Sequence, residues 1–333
     1  MSLSATVQPA SPVPSRLYLE RDQVTADWVD IAGTDPALPF LSDRIAAAEA
    51  KGRTAWQAPL PEAGEHPASA PAGLILHAGR CGSTLVSRSL SLLPGCHVLS
   101  EPQALNDALA PAGAWAFARV AVRRRAVEQV VAALGRAAPG ERDRFILKLS
   151  SWNALHLPLL EAAFPAAPLV FVYREPEEIL VSLRDAPPMW LRWAADPVRA
   201  GLFLGVAPSR APRSPLAFAA QVVGRVLAEV AASVGRNPPG RWLLVPYGAL
   251  PGAIAGQVAP HLRVPLGGDA EARLALAAGR HAKDPTGTRP FSPDGARKRA
   301  AVTEEVADLA RDWIRDPFER LESLRGRADG VAW

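Results

Sequence analysis

One stretch of the chain, residues 74–90, constrains the fold more than any other. Gly73–His77 is a short apolar run of the length expected for a buried parallel strand. Residues 78–81 are small and typical of a turn, and from Gly82 onward leucines recur at helical spacing until Pro94 and Gly95. The sequence therefore predicts a strand, a tight loop and a helix in direct succession.

The loop of this stretch is suited to bind an anion with tetrahedral oxygens. A tight loop before a helix turns successive backbone N–H groups and the positive end of the helix dipole toward one point. Arg80 adds a planar fork of charged donors, and Ser83 and Thr84 add hydroxyls in the first helical turn. The loop is not a Walker A motif, because Gly82 is followed directly by Ser83 instead of Lys.

Strand-like and helix-like segments alternate after this stretch. The other predicted strands are 97–100, 144–149, 168–174 and 241–247, and the other predicted helices are 114–137, 155–164, 176–184, 216–234 and 303–313. Because the strands are nearly all apolar, the pattern predicts an α/β three-layer sandwich with a central five-stranded parallel sheet. Residues 279–299, rich in Lys, Arg, Gly and Pro, are predicted to form a long loop.

Polar residues follow the apolar runs of the predicted sheet. They are Arg80, Glu101, Lys148, Arg174 and Tyr247. Because ligands of open α/β sheets bind beyond the carboxyl ends of the strands, we expect these side chains to surround one site. Ser182 lies about two turns into the helix that follows Arg174, so these two residues can close on a single phosphate.

Two motifs resemble those of sulfotransferases that use the sulfate donor PAPS. Arg-Cys-Gly-Ser-Thr-Leu at 80–85 resembles the 5′-phosphosulfate loop of that family, with Cys81 where Ser is commoner. Arg174 with Ser182 eight residues later resembles the family's 3′-phosphate element. The resemblance spans residues 74–250 and implies the P-loop NTPase-like sulfotransferase fold of the bacterial type. It also implies PAPS as co-substrate, PAP as product and no metal.

The resemblance implies a set of donor-binding residues. They are Arg80, Cys81, Gly82, Ser83, Thr84, Leu85, Arg174, Ser182, Tyr247, Arg297 and Arg299. Tyr247 would stack on or near the adenine, although Gly248 and Ala249 depart from the family's Tyr-Glu-Asp-Leu pattern. Arg297 and Arg299 belong to a basic run that would complete the 3′-phosphate site, and a solvated basic run before a helix explains it equally well.

Sulfuryl transfer needs a base for the acceptor proton, an aligned donor and cations near the leaving oxygen. Arg80 and Lys148 suit the last task. Cytosolic sulfotransferases carry a basic His two residues after this Lys, where the present chain has Ser150. Glu101 matches the carboxylate base of membrane-type and several bacterial relatives, so we predict Glu101 as the base. The alternatives are His156 as base and a Glu101 that only caps a helix.

The composition of the chain limits the classes of binding partner that we expect. The chain has 333 residues, a net charge of +4 and two cysteines, Cys81 and Cys96. Arg123-Arg124-Arg125 is the only dense basic run and lacks interleaved aromatic residues, so we expect no nucleic-acid partner. We expect neither a disulfide framework nor a metal site. The start of the chain lacks a signal-peptide pattern, and the most apolar run, 108–118, is too short to span a membrane. We therefore expect a cytoplasmic protein without a membrane partner.

Domain organisation and acceptor are less constrained. Residues 1–71 are expected to form an N-terminal extension and a Pro/Ala-rich linker packed on a main domain of residues 72–333, with 1–15 disordered.

The acceptor would be a small molecule, a saccharide or a peptide with a hydroxyl or amine. The aromatic residues of 187–193 could line its pocket, but such a cluster more often belongs to the core. Alternative functions are an ATP-dependent phosphotransferase and a non-catalytic PAP- or nucleotide-binding protein.

Overall fold

A small antiparallel sheet comes first along the chain. The computed structural model describes residues 11–61, 70–110, 112–137, 144–212, 214–280, 282, 284 and 294–329. Strands β1 (Pro12–Glu20) and β2 (Gln23–Asp30) form a hairpin, and α1 (Leu41–Glu49) leads to β3 (Trp56–Pro59) on the other edge of β2. The two hairpin residues, Arg21 and Asp22, both have positive φ angles, as a two-residue turn between twisted strands requires.

The expectation of disorder through residue 15 is therefore wrong for residues 12–15, which begin β1. Val13 and Pro14 are both buried, and the register with β2 shifts between Pro14 and Arg16. Residues 1–10 lie outside the described part of the chain. The backbone N–H of Leu17 in β1 donates to Asp107, so this sheet is joined to the residues that follow. The division of the chain at residues 71 and 72 stays a prediction.

The central sheet has five strands. They are β4 (Gly73–His77), β5 (Cys96–Ser100), β6 (Arg144–Lys148), β7 (Leu169–Tyr173) and β8 (Trp242–Pro246). Every neighbouring pair is parallel and the spatial order is β5-β6-β4-β7-β8, which confirms the predicted sheet. Because β4 lies between β6 and β7, the loop after β4 opens where the strand order reverses, the usual ligand position in such sheets.

Helices cover both faces of this sheet. They are α2 (Ser83–Ser91), α3 (Gln103–Leu109), α4 (Val120–Arg136), α5 (Leu157–Ala163), α6 (Pro176–Asp185), α7 (Pro197–Leu204), α8 (Pro215–Arg236), α9 (Ala259–His261), α10 (Ala270–Ala278), α11 (Gly295–Ala300), α12 (Glu304–Trp313) and α13 (Arg315–Asp329). Leu74 and Leu76 of β4 join one buried cluster, and Ile75 joins the other. The period of two along the strand thus builds the three layers.

Three segments differ from the sequence-based expectations. The predicted helix 114–137 is a 3₁₀ turn, Gly113–Phe117, followed by α4, because Ala118 and Arg119 are extended. The predicted helix 155–164 likewise begins as a 3₁₀ turn, Ser151–His156. The loop predicted for 279–299 is wrong at its end, where α11 begins at Gly295. The part of that loop at 285–293 lies outside the described residues.

Helix α8 is the main apolar helix of the fold. By length and composition alone α8 could cross a membrane, whereas the apolar run at 108–118 is too short to do so. Within the fold, 61% of the most apolar window of α8 is buried. Its Phe218 packs edge-on against Trp190 at a ring-centroid distance of 5.9 Å. Trp193 contacts Trp152 and Phe203 in the same cluster. The aromatic residues of 187–193 therefore belong to the core around α8.

Candidate active site

The loop between β4 and α2 has an unusual backbone. Gly79, Arg80 and Gly82 all have positive φ angles, of 86°, 54° and 85°. Glycine is required at 82 for a second reason, since a Cβ there would lie 2.7 Å from Leu250 Cδ1 and 3.2 Å from the Tyr247 ring. The Leu250–Tyr247 turn after β8 thus packs directly on the loop, and only a residue without a side chain permits this approach.

The small side chains of the loop divide between its two sides. The Cys81 thiol points into the core and donates to the Val172 carbonyl at 3.0 Å. Complete burial raises the pKa of this thiol to about 11, so Cys81 is a packing residue rather than a nucleophile. Ser83 and Thr84 begin α2, whose first turn directs backbone N–H groups and the positive end of the helix dipole toward the loop.

These residues line a cavity of about 500 Å³ beyond the carboxyl ends of the strands. Its lining includes most of the residues that the sequence singled out: Arg80, Cys81, Gly82, Ser83, Thr84, Leu85, Glu101, Arg174, Ser182 and Tyr247. It also includes three polar residues that the motifs did not indicate, His77, Arg280 and Asp294, and the middle residue of the basic run at 297–299, Lys298. The volume is in the range typical of small-molecule sites.

The two sequence motifs meet inside this cavity. Arg80 Nε donates to Ser182 Oγ at 2.8 Å, across 102 residues of sequence. Arg80 has a positive φ angle of 54°, and its side chain is held against α6 by this bond. The loop after β4 and the helix after β7 therefore contribute to one surface that carries cations and hydroxyls.

Glu101 and Lys148 form an ion pair at the ends of β5 and β6. The Lys148 side chain is completely buried, and its Nζ donates to Glu101 Oε1. The backbone fixes the pair as well, because the Glu101 N–H donates to the Lys148 carbonyl at 2.7 Å and Glu101 has a positive φ angle of 53°. Phe40 covers the ammonium from the N-terminal segment, with Nζ 5.4 Å from the ring centroid.

The pair keeps Glu101 ionised. Burial by itself would raise the pKa of the Glu101 carboxyl, but the Lys148 charge and the contact with His77 outweigh it and hold the pKa well below its usual range. In this state Glu101 is a hydrogen-bond acceptor at neutral pH. Its basicity increases only when Lys148 directs its proton donors elsewhere.

His77 connects the loop to this pair. Its Nδ1 accepts from the Gly79 N–H at 3.1 Å, so the ring proton of the neutral imidazole lies on Nε2. Nε2 then donates to the Leu149 carbonyl at 3.0 Å, and Glu101 Oε1 lies 3.6 Å from the same nitrogen. His77 therefore orients both the loop backbone and the carboxylate, although no motif in the sequence indicates it.

Substitutions at His77 separate these two contacts. We expect His77→Asn to keep an acceptor near the Nδ1 position, which preserves the loop, and to lose the donor near Glu101. His77→Gln keeps a donor near the Nε2 position and loses the loop contact. The first variant should lower kcat several-fold and the second should weaken nucleotide binding by about 1 kcal/mol, the typical contribution of one hydrogen bond. Steady-state kinetics and calorimetry measure both, and equal effects of the two variants on both quantities would contradict these roles.

Arg174 lies within a charge network. Its Nε donates to Glu178 at 2.5 Å, its Nη2 donates to Asp294 Oδ1 at 2.9 Å, and its guanidinium stacks 3.9 Å from the centre of the Tyr247 ring. Lys298 Nζ lies 2.9 Å from Asp294 Oδ2. Tyr247 thus holds the plane of Arg174 by a cation–π contact.

The basic run at 297–299 contributes to the cavity through its middle residue. Lys298 is 5% exposed and lines the cavity, whereas the side chains of Arg297 and Arg299 are each 67% exposed. Arg299 reaches the network indirectly, through a 2.7 Å bond to Glu178. The three residues lie on one turn of α11, so only one of them faces inward.

His156, the alternative base, is positioned differently. Its ring packs edge-on against Trp152 at a centroid distance of 6.0 Å. Burial, with smaller contributions from Arg123 and Arg225, lowers the pKa of His156 to about 3. These contacts are those of a core aromatic residue.

Comparisons with known proteins concern the fold. No family model and no curated protein sequence matches this chain. Sulfotransferase STF9 from Mycobacterium avium is 15% identical, with a TM-score of 0.49 over 75% of this chain and 77% of that one. The sulfotransferase domain of the Synechococcus PCC 7002 olefin synthase is 17% identical, with a TM-score of 0.43 over 79% of this chain and 97% of that one.

A sulfotransferase from Alicyclobacillus acidocaldarius is 17% identical, with a TM-score of 0.39 over 77% of this chain and 96% of that one. At such identities and scores, functional conclusions depend on the geometry of the cavity itself. The chain is similar in fold to these sulfotransferases, the family that its two motifs resemble.

Proposed function

We propose that this protein transfers a sulfuryl group from PAPS to a hydroxyl or amine of an acceptor. One observation carries the proposal: the Arg80 loop, the Arg174–Ser182 element and Glu101 line a single cavity, and Glu101 is paired with the buried Lys148. When bound, PAPS supplies the activated sulfuryl group. The donor set suits such a ligand, since it combines guanidinium groups, hydroxyls and a helix N-terminus around an anion-sized space.

The loop residues would hold the 5′-phosphosulfate end of the nucleotide. Arg80, Ser83 and Thr84 all line the cavity, and α2 begins at Ser83. Arg174 and Ser182 would hold the 3′-phosphate, with Lys298 in the role predicted for Arg297 and Arg299. Tyr247 presents its ring beside Arg174, where an adenine or ribose could pack.

Glu101 and Lys148 would carry out the chemistry. Lys148 lies at the end of β6 and supports the negative charge that develops on the leaving oxygen. As Lys148 turns its donors toward that charge, the pKa of Glu101 rises, and the carboxylate accepts the acceptor proton. The acceptor oxygen also becomes more acidic as it bonds to sulfur, so a weak base suffices late in the reaction.

Calorimetric titration tests the donor site. Purified protein is titrated with PAP in the presence of a chelator, and with ATP plus Mg²⁺ in parallel. Tight PAP binding without metal supports the proposal and is followed by acceptor screening with PAPS. Binding of ATP·Mg²⁺ alone would favour the phosphotransferase alternative. PAP binding with no transfer to any acceptor class would favour the non-catalytic nucleotide-binding protein.

A pair of variants tests which cation binds which phosphate. We expect Arg174→Ala to weaken PAP binding by roughly 1–3 kcal/mol, the range for charged hydrogen bonds, and to leave AMP binding unchanged. Arg80→Ala, the matched control, should weaken PAP and AMP alike because both carry the 5′-phosphate. If Arg174→Ala weakened AMP binding as much as PAP binding, the assignment of Arg174 to the 3′-phosphate would be wrong.

A further inference from the structure

A carboxylate of the protein itself lies where a ligand phosphate would bind. Asp294 uses one oxygen to accept from Arg174 Nη2 at 2.9 Å and the other to contact Lys298 Nζ at 2.9 Å. The side chains of Arg174 and Lys298 are 3% and 5% exposed, whereas that of Asp294 is 34% exposed. The two cations are thus buried, and the anion that bridges them lies on the cavity side.

The second carboxylate on Arg174 has a different position. Glu178 lies one turn after Arg174 along α6, is 5% exposed and is also bonded to Arg299. This arrangement holds the Arg174 guanidinium from behind. Asp294 comes instead from a separate part of the chain, 120 residues away, at the residue before α11.

The energetics explain why an anion is present there. Arg174 and Lys298 are two buried cations, and Glu178, the carboxylate behind Arg174, is also bonded to Arg299. A further anion therefore stabilises the two cations when no ligand supplies one. A bridging carboxylate meets this need with the same hydrogen bonds that a phosphate would form. A phosphate added beside Asp294 would compete with it for these donors, because each anion would weaken the hydrogen bonds of the other and repel it.

We propose that Asp294 competes with the 3′-phosphate for Arg174 and Lys298, and thereby sets the preference of the site between nucleotides with and without that phosphate. The inference rests on the proposed function and names the residue that controls donor selectivity. A nucleotide without a 3′-phosphate leaves the Asp294 contacts intact. A nucleotide with a 3′-phosphate displaces the Asp294 carboxylate. The affinity of that nucleotide is therefore reduced by the free energy of the Asp294 contacts that are lost.

The test compares PAP and AMP binding by calorimetry in the full chain. Asp294→Asn keeps the size of the side chain and removes its charge, and we expect it to raise PAP affinity roughly tenfold, in proportion to one charge-assisted contact. AMP affinity stays within about twofold of the wild type on the same argument, because AMP does not meet Asp294. Asp294→Ser, with its smaller side chain, should give the same selectivity change.

Asp269→Asn is the matched control. Asp269 pairs with Arg273 at 2.8 Å on the surface, so this variant removes the same charge from a similar contact and should change neither affinity. If Asp294→Asn left PAP affinity unchanged or weakened it, the inference would be overturned while the proposed function stood. An equal gain for AMP would also overturn the inference. Failure of all variants and the wild type to bind either nucleotide would overturn the proposed function, and the inference with it.

Discussion

We expect Glu101→Gln to leave PAP binding intact and to slow sulfuryl transfer roughly 10²–10⁴-fold, the usual contribution of a positioned general base. The amide keeps the shape of the side chain and can still accept a hydrogen bond from Lys148, so the donor cavity is preserved. It cannot take the acceptor proton. The expected signature is therefore a lower kcat with an unchanged dissociation constant for PAP.

The pH dependence gives a second signature of Glu101. The Lys148 charge holds the pKa of Glu101 below its usual value of about 4.3, so the carboxylate stays ionised throughout the ordinary acidic range. We therefore expect kcat/KM of the wild type not to decline on account of Glu101 until the pH falls below that usual value. Stability behaves in the same sense: the pair stabilises the fold above the unfolded pKa and loses its effect as the pH falls through the folded pKa.

The matched control for Glu101 is Glu128→Gln. Glu128 pairs with Arg124 at 2.8 Å on α4, so this variant removes the same charge from an ion pair away from the cavity and should leave kcat unchanged. Stopped assays with PAPS and calorimetry with PAP provide the two measurements. Full activity of Glu101→Gln would exclude Glu101 as the base and favour the reading in which it only begins a helix.

We expect Lys148→Met to have the second large effect on activity. This variant should change both the rate of sulfuryl transfer and the pKa of Glu101. Removing a cation that faces the developing charge costs roughly 10²–10³ in kcat. It also leaves burial as the dominant influence on Glu101, so the pKa of that carboxyl rises and the acidic limb of kcat/KM moves to higher pH. The fold should lose stability as well, because a partly buried carboxylate is left without its partner.

A double variant separates these consequences. Lys148→Met combined with Glu101→Gln contains no unpaired charge, so we expect it to be more stable than Lys148→Met alone while remaining inactive. Lys51→Met is the control, since Lys51 donates to the exposed Gly33 carbonyl at 2.8 Å and does not line the cavity. Denaturant unfolding and pH–rate profiles measure the effects. An acidic limb that does not move in Lys148→Met would show that Lys148 does not control Glu101.

The predictable parts of the site share one property: each depends on residues that are near in sequence or on the ends of parallel strands. The anion-binding loop could be derived from residues 80–85, because glycine and small residues directly specify a tight turn before a helix. Glu101 and Lys148 were predicted to lie at one site because the carboxyl ends of parallel strands share one edge of a sheet. Their ion pair follows from β5 and β6 being neighbours, which the structure shows. The spacing of Arg174 and Ser182 placed Arg174 before α6 and Ser182 about two turns into it, and both line the cavity.

The remaining parts depend on contacts between distant segments. The sequence 297–299 offers three cations, and which one faces the cavity is decided by how α11 packs on α6. Consecutive residues of a helix point about 100° apart, so packing selects Lys298 and leaves Arg297 and Arg299 exposed. The sequence could not reveal this, because the orientation of α11 is not encoded in its own six residues.

By itself, the sequence of this protein determined the five parallel strands, the tight loop before α2 and the identity of the main polar residues, since periodicity and turn chemistry are local. Only the tertiary structure decided that Phe40 covers Lys148, that His77 joins the loop to Glu101 and that Asp294 occupies the Arg174 site. These contacts join segments up to 120 residues apart. They form only because the fold buries charges that must then find partners, and no local pattern specifies which partner lies within reach.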